Sequence, residues 1–214
     1  MAALGLGSAL TYVLYGNFVH SPGCDEYTAS DAPLVAHAGG GTPRATYANN
    51  IEALDLAAHH GFDLIELDFI EIDGELRLGH DEQNVSDLTL SQLLEWLAQH
   101  PDIRIVTDMK SGNQGLQNLP RDQFIPQIYE LDEYDQVKRL GFRDIILTAY
   151  KMDSYDWQDR ANELDLFAVT VPKEAAWLAK GIDHPVYLHT VNIPIDGYGL
   201  YTDCLVPKRS SLAS

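Results

Sequence analysis

The stretch GFDLIELDFIEIDGELRLGHD, residues 61–81, brings together the features that indicate the fold. Residues 64–69 are rich in β-forming apolar side chains and carry carboxylates at alternate positions. A second short run, residues 75–78, follows Asp73-Gly74, which is a residue pair typical of a tight hairpin turn. A glycine such as Gly61 commonly ends a helix. The stretch therefore predicts the end of a helix, a strand with polar residues near its end, and a hairpin.

Outward from this stretch, short β-rich runs alternate with amphipathic helix-like segments, which is the pattern of parallel βα units. The predicted strands are residues 34–38, 64–69, 103–108, 124–129, 145–149, 167–171, 186–190 and 200–205. The predicted helices are residues 50–60, 89–99, 133–140, 155–164 and 173–180. This order predicts an α/β fold, a TIM-type (β/α)8 barrel. Because 214 residues fall short of the roughly 250 that such barrels use, and little chain follows the last strand, we expect the barrel to be trimmed at the C-terminus.

The chain divides into a barrel, residues 33–207, with a tail, residues 208–214, and a polar connector, residues 20–32. Residues 1–19 are uncharged and mostly apolar, which predicts an export signal or a membrane anchor and hence an exported or membrane-anchored protein. The alternative is a helix packed on the barrel or on another copy of the chain, in which case the protein would be cytoplasmic. The only two cysteines, Cys24 and Cys204, could both be free thiols.

The composition limits the partners of this protein. Lys and Arg number 14 against 32 Asp and Glu, a formal net charge of −18, so most of the surface repels a polyanion. Nucleic acid is therefore excluded as a partner. A substrate that carries phosphate would need local positive charge at the site, and clustered carboxylates can supply it by holding a metal ion.

Carboxylates do cluster at the predicted strand ends. Glu66 and Asp68 lie two residues apart on one strand and so point to the same side of it, and Asp108 ends the next strand. In a β/α barrel these strand ends meet at one mouth. Ligation by oxygen alone suits Ca²⁺, Mg²⁺ or Mn²⁺ better than Zn²⁺. We expect one divalent cation, Ca²⁺ or Mg²⁺, although a solvated pair of rim carboxylates would give the same pattern.

Two histidines are candidates for acid/base catalysis. His37 lies at the end of the first predicted strand, shortly before three glycines whose backbone could approach a phosphate, and His80 follows the hairpin. Lys110, close after Asp108, could neutralise developing negative charge. A single histidine at a strand end is more often structural. The catalytic interpretation is favoured here because there are two such histidines and because the glycines and Lys110 accompany them.

Further polar groups at strand ends could shape the pocket for the substrate. For each of them a purely structural hydrogen bond is about as good an interpretation. The candidates for substrate contact are Gln127, Tyr129, His189, Asn192 and Asp203.

These motifs, in this order and spacing, resemble the signature of glycerophosphodiester phosphodiesterases. The resemblance runs through His37-Ala38-Gly39-Gly40, Asn49 to Leu54, Gly61 to Asp68, Asp73-Gly74, His80-Asp81, Asp108-Met109-Lys110, Thr190-Val191-Asn192 and Thr202-Asp203. It implies that His37 and His80 are the acid/base pair, that Glu66, Asp68 and Asp108 ligate the metal, and that Asn49 and Lys110 contact phosphate or the metal shell.

The sequence departs from that family at two positions. Ala38 and Ala48 stand where family members commonly have Arg and Glu. Losing both members of a pair leaves no uncompensated charge, so catalysis need not be lost, but a natural phosphate clamp is missing. The pattern predicts metal-dependent hydrolysis of a phosphodiester, with a glycerophosphodiester as the first choice of substrate. The alternatives are a phospholipase-like enzyme acting on a lipid headgroup, with membrane association through residues 1–19, and a barrel that binds metal or ligand without catalysis.

Overall fold

A computed structural model describes residues 32–42, 45–152 and 156–204 of the chain. The apolar segment 1–19, all but residue 32 of the connector 20–32, and the tail 208–214 lie outside the described residues. The sequence predicts that no final barrel helix follows the last strand, and this prediction also concerns residues beyond the described part of the chain.

Eight parallel strands form a closed barrel, as predicted. Strand β1 pairs with β9 on one side and with β2 on the other, and this double pairing closes the sheet. A ninth strand, β3, pairs antiparallel with the extended end of β2 and forms the predicted hairpin. The strands are β1 (Leu34–Ala36), β2 (Leu64–Ile72), β3 (Glu75–Leu78), β4 (Arg104–Met109), β5 (Phe124–Ile128), β6 (Ile146–Thr148), β7 (Ala168–Pro172), β8 (Val186–His189) and β9 (Gly199–Thr202).

The described α-helices lie between these strands. They are α1 (Ile51–His59), α2 (Leu90–Gln99), α3 (Tyr134–Arg139) and α4 (Gln158–Asn162). The two longer ones begin where their sequences place a capping residue. The Asn50 side chain accepts a hydrogen bond from the Ala53 N–H, and Thr89 forms a reciprocal capping box with Gln92. These caps satisfy backbone donors that the first helical turn would otherwise leave without partners.

Several predicted elements differ in type or extent. The last strand ends at Thr202 instead of residue 205, the helix predicted over residues 155–164 is described over Gln158–Asn162, and the strand predicted over residues 64–69 extends to Ile72. Residues 173–180 were predicted as a helix, but Lys173–Ala179 form 3₁₀ turns, with Ala175 outside helical geometry at φ −107° and ψ 19°. The first strand ends at Ala36 instead of residue 38, because His37–Gly39 turn away in a 3₁₀ turn. Ala38 adopts a left-handed conformation there, at φ 49°.

The apolar core has two layers, as expected for a barrel. The larger layer lies between the strands and the surrounding helices and loops, and includes Leu54, Phe69 and Leu97. The smaller layer fills the barrel interior with Val35, Val106, Ile125, Ile146, Ala168, Tyr187 and Tyr201. Since side chains alternate along a strand, the next inward-facing positions toward the carboxyl ends of the strands lie directly above this inner apolar layer. The polar residues of the mouth occupy those positions.

Among the described residues, none of the helices has the length and apolar character needed to cross a membrane. The prediction of an anchor concerns residues 1–19, which are not described. Cys204 is buried and disulfide-bonded, which answers for this residue a question that the sequence leaves open. The sequence has one other cysteine, Cys24, which lies outside the described residues.

Candidate active site

Three carboxylates converge at the mouth of the barrel. Asp68 and Asp108 are register partners on the neighbouring strands β2 and β4, and Glu66 lies two residues deeper on β2. One oxygen from each of the three lies within 4.8 Å of the other two. All three residues are buried. The strand register thus gathers the predicted metal ligands at a spacing that a single cation can bridge.

The loop after β1 holds two of these carboxylates in place. The Asn49 side chain donates to Asp68 Oδ2 at 2.9 Å and accepts from the Asp68 N–H at 2.9 Å. The Ala38 N–H donates to Glu66 Oε2 at 2.7 Å, and the Ala38 carbonyl accepts from the Asn49 N–H. The left-handed turn at Ala38 therefore links His37 to the acidic cluster through backbone hydrogen bonds.

Lys110 provides positive charge beside the cluster. Its Nζ lies 2.8 Å from Asp68 Oδ1 and 2.7 Å from Asp108 Oδ2. Burial alone would lower the pKa of Lys110, but Asp108 and Asp68 outweigh this effect and raise it, so the ammonium stays charged. Burial, together with the negative charges of Asp68 and Asp108, raises the pKa of Glu66 well above its ordinary value. The cluster has more negative charge than one lysine balances.

The residues present fit a divalent cation. Asp108 Oδ1 is buried and has no hydrogen-bond partner, which is costly unless another group satisfies it. Glu66 accepts from Ala38 at Oε2, and Asp68 accepts from Asn49 at Oδ2 and contacts Lys110 at Oδ1. One oxygen of each carboxylate still lies within 4.8 Å of the others, close enough to share a cation. The donor set consists of carboxylates, as hard cations such as Ca²⁺ and Mg²⁺ prefer.

His37 is buried beside this cluster and is held from the opposite side. Its Nδ1 lies 2.8 Å from Asp203 Oδ1, a contact between residues 166 positions apart in the chain. The Asp203 N–H donates to Asn192 Oδ1, and the Asp203 carbonyl accepts from the Gly41 N–H. Asp203, predicted as a substrate contact, is therefore in direct contact with the candidate acid/base residue.

His80 is carried by the hairpin instead of the barrel wall. Asp73 and Gly74, both at positive φ, form the tight turn between β2 and β3, which then delivers Gly79 and His80 to the mouth. The side chain of His80 is half-exposed and lies 3.5 Å from Asp81. His80 is thus accessible to a substrate but less constrained than His37.

A chain of aromatic rings runs along the mouth and connects the two histidines. Tyr47 contacts both of them edge-to-face, with ring centroids 4.8 Å from His37 and 5.7 Å from His80. His189 packs 4.5 Å from His37, and Tyr150 lies 5.4 Å from His189. The sequence analysis did not identify Tyr47, because it lies in a loop at φ 56° and follows no strand end.

Tyr129 continues this aromatic chain, with its ring centroid 6.0 Å from that of Tyr150. Burial, together with the negative charge of Asp108, raises the pKa of Tyr129, so its hydroxyl stays protonated. Tyr129, predicted as a substrate contact, thus lies beside the acidic cluster.

Two other predicted substrate contacts have internal partners. Gln127 Oε1 accepts hydrogen bonds from the Tyr201 hydroxyl at 2.8 Å and from Thr148 Oγ1 at 3.3 Å, in the buried layer below the mouth. Asn192 Oδ1 accepts from the Asp203 N–H and from Thr202 Oγ1. The structural hydrogen bonds that the sequence left open as alternatives are present for both residues, and substrate contact stays a prediction.

The environment of His189 predicts a dependence of stability on pH. Burial, followed by the positive charges of His37 and Lys110, lowers the pKa of His189 to about 3, against about 6.5 in an unfolded chain. Between these values the unfolded state binds a proton that the native state does not. The contribution of His189 to stability is therefore complete above about pH 6.5 and falls as the pH decreases, by at most about 1.4 kcal/mol per pH unit.

Urea denaturation of the protein and of a His189→Gln variant, from neutral to acid pH, checks this expectation. The unfolding free energy of the variant should fall less steeply with acid than that of the wild type. His59→Gln, a change at an exposed histidine, is the matched control and should follow the wild type. Parallel curves for the His189 variant and the wild type would contradict the expectation.

Two comparisons with known proteins give no match: no protein-family model matches the sequence, and no curated protein matches it. Solved structures do match the fold. A candidate glycerophosphodiester phosphodiesterase from Galdieria sulphuraria superimposes with a TM-score of 0.56 at 16% identity, covering 83% of this chain and 96% of that protein. A candidate glycerophosphoryl diester phosphodiesterase from Silicibacter pomeroyi DSS-3 gives a TM-score of 0.54 at 12% identity, covering 85% and 93%. At these identities the likeness establishes a shared barrel fold.

Proposed function

We propose that this protein is a metal-dependent phosphodiester hydrolase related to the glycerophosphodiester phosphodiesterases. The observation that carries the proposal is the convergence of Glu66, Asp68 and Asp108 within 4.8 Å of one another beside the buried His37. The order of motifs along the chain and the fold shared with two candidate members of that family support it. We infer a glycerophosphodiester as the substrate class and Ca²⁺ or Mg²⁺ as the ion.

The proposed roles follow from position and charge. Glu66, Asp68 and Asp108 would hold the cation, which when bound would neutralise charge on the phosphoryl oxygens. Lys110 would add a fixed positive charge on the same side of the site. Asn49 would orient Asp68 through its two hydrogen bonds, in the way that an outer partner orients a metal ligand.

The two histidines would divide the proton transfers between them. His37, buried and fixed, would transfer a proton from the attacking oxygen or to the leaving oxygen, and His80, half-exposed on the hairpin, would carry out the other transfer. The ring of Tyr47 contacts both imidazoles and would form one wall of the pocket for the phosphodiester. A protonated Tyr129 beside Asp108 would offer a hydroxyl at the far side of the cluster.

A screen for activity in the presence of metal ions tests this function. Purified protein is stripped of metal, supplied in turn with Ca²⁺, Mg²⁺ or Mn²⁺, and offered glycerophosphodiesters, lysophospholipids and phospholipid vesicles. We expect release of an alcohol and a phosphomonoester from glycerophosphodiesters with at least one of the ions. Cleavage confined to vesicles or micelles would favour the lipid-headgroup alternative, and the absence of any cleavage would favour the non-catalytic barrel.

A further inference from the structure

One of the two ring nitrogens of His37 contacts a carboxylate. An ionised carboxylate only accepts hydrogen bonds, so the 2.8 Å contact between Asp203 Oδ1 and His37 Nδ1 requires the proton to be on Nδ1. This leaves Nε2 unprotonated in the neutral ring, which is the form that a general base needs. The same carboxylate would stabilise the imidazolium that forms once Nε2 has taken up a proton.

The backbone around Asp203 is itself held in place on both sides. Asn192 Oδ1 accepts from the Asp203 N–H at 2.9 Å and from Thr202 Oγ1 at 2.9 Å. On the other side, the Gly41 N–H donates a hydrogen bond of 2.7 Å to the Asp203 carbonyl, and Gly41 belongs to the loop that follows His37. The carboxylate and the imidazole are thus tied to one another by both backbone and side chain.

Within the function proposed above, we propose that Asp203 is a positioning residue that acts through His37 and does not bind the substrate. It fixes the His37 tautomer with the proton on Nδ1 and so presents Nε2 to the reacting oxygen. Asn192 holds the backbone of Asp203 in place by accepting a hydrogen bond from the Asp203 N–H. Asp203 and Asn192, which the sequence predicts as substrate contacts, would then support the catalytic base instead.

Asp203→Asn and Asp203→Ala test the proposal by kinetics. A positioning role predicts a fall in kcat by a factor on the order of 10² to 10⁴ with KM changed by less than about threefold, since removing the carboxylate of a Ser-His-Asp triad costs about 10⁴. In a His37→Ala background the same substitutions should change kcat by less than about threefold, because the group through which they act is gone. An undiminished loss in that background, or a loss confined to KM, would overturn the proposal in favour of direct substrate contact.

The matched control is Asp144→Asn. Asp144 is a carboxylate with similar side-chain exposure, 19% against 16% for Asp203, and it pairs with Arg104. Its replacement should leave kcat and the His37 tautomer unchanged. Circular dichroism and thermal unfolding verify that every variant is folded.

The closing experiment does not depend on activity. Two-dimensional ¹⁵N–¹H correlation of the histidine ring nitrogens at about pH 9, above the ordinary histidine pKa of about 6.5, reports the tautomer of His37 directly. We expect the Nδ1–H form in the wild type and its loss in both Asp203 variants. An unchanged His37 tautomer would overturn the positioning role even if the protein hydrolyses phosphodiesters. A tautomer that depends on Asp203 in a protein without hydrolytic activity would support the positioning and reject only the function.

Discussion

Replacement of His37 or His80 by alanine is expected to reduce turnover on the best phosphodiester by a factor on the order of 10² to 10⁴. Each histidine lies at the mouth of the barrel, and each contacts the ring of Tyr47, one from the barrel wall and one from the hairpin. Loss of either would remove one of two proton transfers that the proposed reaction requires. The steady-state kcat of the variants, compared with the wild type, measures the effect.

His59→Ala is the matched control, because His59 is exposed near the end of α1. It should keep wild-type turnover within about twofold, as expected for a surface position outside the site. Metal binding by the His37 and His80 variants, measured by calorimetry with Mn²⁺, should stay near that of the wild type. Near-normal turnover in both variants would reject the acid/base roles and direct attention to Asp81 and His189.

Removal of divalent cations is expected to lower activity at least about 100-fold, because Lys110 alone cannot supply the charge that the site needs. Addition of Ca²⁺ or Mg²⁺ should restore it. Binding should also stabilise the fold: a cation at about 100 times its Kd raises the unfolding free energy by about 2.7 kcal/mol. A thermal-unfolding titration with each ion measures this stabilisation without any substrate.

Glu66→Gln and Glu71→Gln form a matched pair for this experiment. Both residues lie on β2, but Glu66 is buried in the acidic cluster, whereas Glu71 is exposed. The Glu66 variant should lose the stabilisation by metal together with the activity, and the Glu71 variant should keep both. Full activity after exhaustive chelation, or equal metal response in the two variants, would contradict a metal centre at Glu66.

The sequence predicts the barrel and its acidic cluster because both depend on local patterns. Alternation of β-rich and amphipathic runs indicates parallel βα units, and residues at strand ends meet at one mouth whatever the details of packing. Asp68 and Asp108 illustrate this, since their register on adjacent strands follows from their places at the ends of two runs. Asn50 and Thr89 likewise carry the side chains that begin helices.

The remaining features depend on contacts between distant parts of the chain, and those contacts leave no local pattern. Tyr47 reaches both histidines from a loop, and Asp203 meets His37 across 166 residues. The 3₁₀ turns over Lys173–Ala179 replace a predicted helix, although their composition is compatible with either. For Gln127 the predicted place at a strand end is correct, but its hydrogen-bond partners are hydroxyl groups inside the barrel.

Closure of the barrel has a consequence for how the protein folds. The acidic cluster is assembled within residues 66–110, where the partners lie much closer in sequence than His37 and Asp203 do, so we expect its two strands to pair earlier. His37 meets Asp203 only when β9, near the end of the described chain, pairs with β1. Because closing a loop of such length has a high entropic cost, we expect this contact to form late in folding. A chain in which β1 and β9 have not yet paired could therefore hold its carboxylates together and still lack the contact between Asp203 and His37. The completed ring of strands would then be a condition for the proposed catalysis as well as for stability.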